Sequence, residues 1–353
     1  MHFYCGDCKK KYPINTKNWK CSCGGVFHLF CEKNEEMANA VTIGGGVTPM
    51  LPFTVGRLDF LLKLENLQPT GTVKDRGAFT LINEYRKVGI TKLITNTMGD
   101  AGASFAAYAA AAGMDITCYM PENASKIKEA QIRSYGAHVF KVKGGWRDAC
   151  KAAQMAAEGN PEARYISYVY NPLFYEGMRS LAMEITDQVG DVPEYIALPV
   201  KNGSLLLGLY YAFVDIGRLP HFLAVEEERC APLYAAMNGL PVPSDPDTAL
   251  SQGDIDATGA EQSGLAGASN SQFFNPEPPR LEQMKKAIEL SGGDVVMVGG
   301  KARREAQRIL GGCGIYVEPI SAMVLAGAIK FFQDGKPDNY RVVLPLTGSG
   351  LNR

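Results

Sequence analysis

From Lys92 onward, short apolar runs alternate with segments of helical period, and this alternation limits the possible folds more than any other feature. Lys92 to Thr95 reads as a strand, and Ala101 to Ala112 as an alanine-rich helix closed by Gly113 at its C′ position. Asp115 to Met120 is β-prone and stops at Pro121. Ser125 to Tyr135 is a helix stopped by Gly136, and Ala137 to Val142 is again a strand. Glu194 to Val200, Phe222 to Val225, Asp294 to Val298 and Arg341 to Leu346 are further apolar runs of buried-strand length. Strands and helices in this order predict an α/β protein with parallel sheets covered on both faces. The expected division is an N-terminal segment over 1–30, a large α/β domain over 31–90 and 180–353, and a small α/β domain over 91–179 inserted into it. Leu240 to Arg280 breaks the rhythm: it is rich in Pro, Ser, Gly and Asp and reads as a long irregular segment at an active-site rim or oligomer contact.

The 353 residues suffice for two packed domains and a small appendage. A formal net charge of −1, with no basic run and no interleaving of aromatics with Lys or Arg, argues against a nucleic-acid partner. The longest low-polarity stretch, Ala101 to Gly113, is too short to cross a bilayer, so no membrane association is expected. Met1-His2-Phe3-Tyr4-Cys5 has no charged leader before an apolar run, which predicts no signal peptide. Nine scattered cysteines argue against a secreted disulfide framework and for the cytoplasm.

Four of those cysteines are paired. Cys5-x2-Cys8 and Cys21-x-Cys23 are separated by twelve residues, and the second pair runs into Gly24-Gly25. Two thiolate knuckles on a segment too short for its own core match a tetrahedral zinc ribbon, with reduced, metal-free thiols as the other reading. Four thiolates leave no open coordination position, so such a metal is structural. His28 and Cys31 are weaker competitors as ligands.

Pro69-Thr70-Gly71-Thr72-Val73-Lys74-Asp75-Arg76-Gly77 is a Gly- and Thr-rich turn that delivers one lysine to the start of a helix. The helix is visible as Ala78, Leu81, Ile82 and Tyr85, an apolar stripe at helical spacing. Positive neighbours and helix N–H dipoles disfavour the ammonium form there, so Lys74 can serve as a Schiff-base amine; a solvated Lys-Asp-Arg helix start is the plain alternative. Thr97-Met98-Gly99-Asp100-Ala101 follows a strand and opens the alanine-rich helix, where backbone N–H groups form an anion site. The plain alternative is an ordinary loop with Asp100 as an N-cap. Lys201-Asn202-Gly203-Ser204-Leu205 is another strand-to-helix turn, and its amides can surround a phosphate beside the Lys201 ammonium. Leu346-Thr347-Gly348-Ser349-Gly350-Leu351 and Glu318-Pro319-Ile320-Ser321-Ala322 complete the set. His138 and His221 have no partner spacing, Glu226-Glu227-Glu228-Arg229 reads as a solvated charge run, and Trp146 with Arg147 reads as a helix start.

In this order the motifs closely resemble those of threonine synthases, members of the tryptophan-synthase-β-like (fold type II) pyridoxal phosphate enzymes, and the resemblance runs from Cys5 to Leu351. It implies pyridoxal 5′-phosphate as cofactor, linked to Lys74, which then shuttles protons at the substrate. It implies that Thr97, Met98, Gly99 and Ala101 cradle the substrate carboxylate. Lys201, Asn202, Gly203, Ser204 and Leu205 would hold the cofactor phosphate, although Lys201 and Ser204 replace glycines of the family pattern. Thr347 falls where the family contacts the pyridine nitrogen, and the turn at Glu318 to Ala322 faces the cofactor ring. Asp100 stands where the family has an Asn bonded to the cofactor 3′-oxygen. An ionised Asp cannot donate, so either Asp100 is protonated or that oxygen carries the proton. Many threonine synthases read Asn-Thr-Ser where this chain reads Asp100-Ala101-Gly102.

The resemblance implies conversion of O-phosphohomoserine and water to L-threonine and phosphate. Similar proteins open the alternatives of a cysteate-synthase-like β-replacement on O-phosphoserine, a serine or threonine dehydratase, and a non-catalytic cofactor-binding homologue. A homodimer and a structural zinc on Cys5, Cys8, Cys21 and Cys23 are implied in the same way. Fold and substrate are separate questions.

Overall fold

The computed structural model describes residues 1–31, 39–242, 275–333 and 339–352. Two compact units are formed, Met1–Gly46 with Gln68–Met178, and Val47–Leu67 with Arg179–Arg353.

The first unit opens with an antiparallel sheet in the order β2-β1-β3, formed by β1 (His2–Cys5), β2 (Lys11–Tyr12) and β3 (Phe27–Phe30). Its small core is aromatic. Phe27 lies 5.7 Å from Phe3 and 4.7 Å from Tyr12, ring centre to ring centre. The rest of the unit is a parallel sheet in the order β8-β7-β6-β9, with β6 (Lys92–Asn96), β7 (Asp115–Pro121), β8 (His138–Val142) and β9 (Ala163–Tyr165). Around it lie α1 (Lys74–Lys87), α2 (Asp100–Ala111), α3 (Lys126–Ser134), α4 (Trp146–Glu158) and α5 (Pro172–Gly177). Helix α2 is alanine-rich because it packs against α1, α3 and β7 at once, and Ala101 to Ala109 are buried without exception. Residues 68–90, read from sequence as part of the large domain, pack in this unit: α1 lies against α2 and α5.

The second unit holds six strands in the order β12-β11-β10-β13-β5-β4. They are β4 (Met50–Val55), β5 (Leu58–Lys63), β10 (Tyr195–Pro199), β11 (His221–Glu227), β12 (Asp294–Val298) and β13 (Val342–Pro345). Five of them are parallel, whereas β4 pairs antiparallel with β5 through a two-residue loop with Gly56 at φ +61°. The parallel-sheet expectation therefore needs an antiparallel edge strand added, a common feature of large α/β sheets. Helices α6 (Arg179–Val189), α7 (Ser204–Ile216), α8 (Pro232–Asn238), α9 (Leu281–Leu290), α10 (Gly300–Gly312) and α11 (Pro319–Phe332) cover the sheet. Leu223 and Val225 join the core beneath α11, while Phe222, on the opposite face of the same strand, packs against Phe213 of α7.

A buried charge ties the hairpin to α6. The fully buried Lys63 ammonium donates to Glu184 at 2.8 Å, Gln188 at 2.9 Å and the Thr48 carbonyl at 2.6 Å. Each donor finds an acceptor, which is what makes a dry lysine tolerable.

The Glu226 to Arg229 run is not a solvated patch. Glu226 is fully buried at the end of β11, and its carboxylate accepts the Leu233 amide at 3.2 Å and the Tyr234 amide at 2.8 Å in the first turn of α8. Burial pushes its pKa up to about 7, with the two amides opposing. Period-2 patterning cannot reveal this, because the residue caps a helix that follows in sequence. Of the irregular stretch from Leu240 to Arg280, residues 243–274 lie outside the described residues. Among the described residues no helix is long and apolar enough to cross a membrane.

Candidate active site

Lys74 is the first residue of α1, and the turn before it is built to hold that start. Gly71 takes φ +78°, and the Lys74 amide donates to Thr72 Oγ1 at 3.4 Å. Asp75 accepts the Thr70 amide at 2.8 Å and also the Thr70 hydroxyl, which lies 3.0 Å from Ser104 of α2. Asp75 is thus a structural pin for the turn before α1. The Lys74 side chain keeps 26% of its surface exposed.

The loop from Thr97 to Ala101 lies at the start of α2. Thr97 is buried and its Oγ1 accepts the amides of Gly99 and Gly102, each at 2.9 Å. Two of the N–H groups at this helix start are therefore taken internally, leaving the Asp100 and Ala101 amides as first-turn donors with no i−4 carbonyl. Met98 and Ala101 are buried. Gly102 has no room for a side chain, because a Cβ there would lie 2.4 Å from Thr97 Cγ2.

Asp100 joins two lysines. Its Oδ2 lies 3.4 Å from Lys74 Nζ, and its Oδ1 lies 2.5 Å from Lys128 Nζ. Burial alone would raise the Asp100 pKa, but the Lys128 and Lys74 ammonium groups outweigh it and hold the carboxyl well below its ordinary range. Of the two protonation states left open by sequence, the ion pairs select the ionised carboxylate. Lys128 was not singled out from sequence: in Ser125-Lys126-Ile127-Lys128 it looks like any solvated residue of a first helical turn. Only the packing of α3 on α2 brings it to Asp100.

In the second unit, Gly203 caps the N-terminus of α7 at φ +81°. A Cβ there would lie 2.4 Å from Met284 Sδ, so both backbone and space require glycine. Ser204 and Leu205 open the helix. The Asn202 side chain accepts from Asn275 at 2.7 Å. Burial would raise the Glu227 pKa, but Lys201, Arg303 and Arg229 hold it below its ordinary range. Elsewhere in this unit the buried Thr347 hydroxyl lies 3.1 Å from Ser321 and donates to Glu318 at 3.3 Å.

The four N-terminal thiols converge. All four sulfurs lie within 4.8 Å of one another, with Cys5–Cys23 at 3.5 Å, Cys8–Cys21 at 3.4 Å and Cys8–Cys23 at 3.6 Å. Tetrahedral thiolates around zinc stand about 3.8 Å apart, so the donor set fits that metal. Without a metal the thiols share protons: the Cys23 backbone N–H and then the Tyr12 hydroxyl push the Cys21 thiol down to about 6, while at Cys23 the Gly25 backbone N–H is outweighed by the thiols of Cys21, Cys5 and Cys8, which push it up to about 12.

A family model of pyridoxal-phosphate dependent enzymes matches residues 41–348, and the chain belongs to that family. Threonine synthase of Methanocaldococcus jannaschii is 27% identical, over 98% of this chain and 92% of the relative. Threonine synthase of a Bacillus species is 29% identical, over 88% and 84% respectively. Maize serine racemase shares the fold, with a TM-score of 0.71 at 19% identity, covering 89% of this chain and 92% of that one.

Pyridoxal phosphate is accordingly the cofactor, and the residues present fit it chemically. The first unit holds an amine on Lys74, and the second a glycine-capped helix start at Gly203 and a hydroxyl on Thr347, groups of the chemical kinds that an aldehyde, a phosphate and a ring nitrogen take up.

Proposed function

We propose that this enzyme is a lyase of the threonine synthase type, converting O-phosphohomoserine and water to L-threonine and phosphate. The observation that carries this reading is the lysine at the start of α1, its amine partly exposed and 3.4 Å from Asp100 on the first turn of α2. The names of the relatives that match most of this chain support it.

Bound pyridoxal phosphate supplies the electron sink that acidifies the carbons of an amino acid. Lys74 would hold the cofactor through its aldehyde, and its amine would carry protons to and from the substrate carbons. The loop of Thr97, Met98, Gly99 and Ala101 offers first-turn amides to the α-carboxylate. Asn202, Gly203, Ser204 and Leu205 hold the cofactor phosphate, with Lys201 adding positive charge. Thr347 would offer the pyridine nitrogen a neutral hydroxyl, its proton turning from Glu318 to the ring, with Ser321 beside it. A structural zinc on Cys5, Cys8, Cys21 and Cys23, a cytoplasmic location and a homodimer belong to the same proposal.

One observation favours a second reading. Thr97 fills the space of any side chain at Gly102, so a hydroxyl cannot stand there to hold a substrate phosphate. This suits a substrate that carries no phosphate, as in dehydration of serine or threonine; β-replacement on O-phosphoserine is the remaining alternative on this scaffold. Purified holoenzyme should release threonine and phosphate from O-phosphohomoserine. Cysteate from O-phosphoserine with sulfite, or a 2-oxo acid from threonine, would replace the first reading. A protein that binds the cofactor but turns over none of these is a non-catalytic homologue.

A further inference from the structure

Among the described residues, Lys128 is the one charged group paired with Asp100 that the cofactor chemistry above does not use. It is held with unusual care for a helix-start lysine. Its side chain is only 14% exposed and its amide is capped by Ser125 Oγ at 3.4 Å. Its stem crosses Gly99, where an added Cβ would lie 1.9 Å from Lys128 Cδ. Gly99 itself takes φ +155° and ψ −78°. The nearest acid on the same helix, Glu129, is engaged by Arg133 at 2.9 Å and Lys141 at 3.0 Å, so it does not compete for the Lys128 ammonium.

A carboxylate beside a lysine favours its ammonium form. An amine attacks an aldehyde only when unprotonated: its proton goes to solvent, the C–N bond forms, and water leaves as the C=N bond closes. Asp100 alone would therefore oppose cofactor capture by Lys74. The Lys128 ammonium lies closer to Asp100 than Lys74 does, 2.5 Å against 3.4 Å, and takes up its charge. With Lys74 neutral, Asp100 and Lys128 sum to zero formal charge.

We propose that Lys128 is a positioning residue: it neutralises Asp100, and the pair acts as one net-neutral, hydrogen-bonding unit that lets the Lys74 amine capture the cofactor aldehyde. The proposal rests on Lys74 being the cofactor lysine, and the test separates the two.

Apo-protein is mixed with free pyridoxal phosphate. Capture is followed by the growth of visible absorbance, and the modified lysine is identified by mass after borohydride reduction. Lys128→Gln should capture about tenfold more slowly near neutral pH and recover much of that loss in mildly alkaline buffer. Lys128→Gln with Asp100→Asn should return to within about threefold of the wild-type rate. Circular dichroism confirms that each variant is folded before it is compared. Wild-type capture by Lys128→Gln, or a double variant as slow as the single one, overturns the proposal. Undiminished capture by Lys74→Ala overturns the lysine assignment beneath it, and the proposal with it.

Discussion

Gly77 in the first turns of α1 faces the ring of Phe174 on α5 so closely that a Cβ would lie 2.7 Å from three of its carbons. The approach is mutual, since a Cβ on Gly177 would lie 2.1 Å from the Arg76 carbonyl oxygen. The helix that carries Lys74 is therefore seated by two glycines, and its register is set by backbone contact. Gly77→Ala should destabilise the protein by about 1–3 kcal/mol through overpacking, despite the better helix propensity of alanine. Chemical denaturation checks this; equal or higher stability would mean that α5 yields freely.

Gly203 makes a separate demand. An alanine there needs φ near +81° and meets Met284 Sδ at 2.4 Å. The backbone cost is on the order of 1 kcal/mol, so Gly203→Ala should weaken cofactor affinity by at least about fivefold. Equilibrium titration with pyridoxal phosphate measures it. Adding Met284→Ala should recover only the steric part of the loss; full recovery would show that the backbone angle is unimportant.

Glu226 gives the stability a pH dependence. Its pKa is about 7 in the folded protein against an ordinary 4.5, so the folded state keeps a proton that the unfolded chain releases between those values. Stability is then lost as pH rises from 4.5 to about 7, by on the order of 3 kcal/mol at most. Glu226→Gln removes that titration, so its melting temperature relative to wild type should climb over the same window. A difference that stays flat with pH would place the carboxyl near its ordinary value.

For the thiol cluster, metal analysis of protein purified without chelator should find about one zinc per chain. Cys8→Ser should lose the zinc, and a strong chelator should lower the melting temperature of the wild type while barely affecting the variant. Metal-free protein with the same melting temperature would leave the four cysteines as plain thiols.

The strand–helix alternation was legible because period and length are local properties. Asp294–Val298 was bounded to the residue, and α2 and α3 fell within one residue of expectation at each end. The hairpin of β4 and β5 was not legible: exposed Leu51 and half-buried Phe53 on an edge strand give no clean alternation. The loops singled out for chemistry stand out in the sequence for a different reason. Lys74, Gly203 and Thr347 sit in short strings rich in Gly and Thr, whose backbone demands leave a mark in the residue types themselves.

The sequence by itself determined the class of fold, the family and the residues eligible for cofactor chemistry, because helical period, glycine at positive φ and closely spaced cysteines are written within a few residues of one another. Only the tertiary structure decided the electrostatics. That Asp100 is ionised between two lysines, that Lys128 rather than a neighbour reaches it, and that Glu226 is buried beneath a helix start all depend on groups far apart along the chain. Their energies are set by distance and desolvation in three dimensions, which no local pattern records.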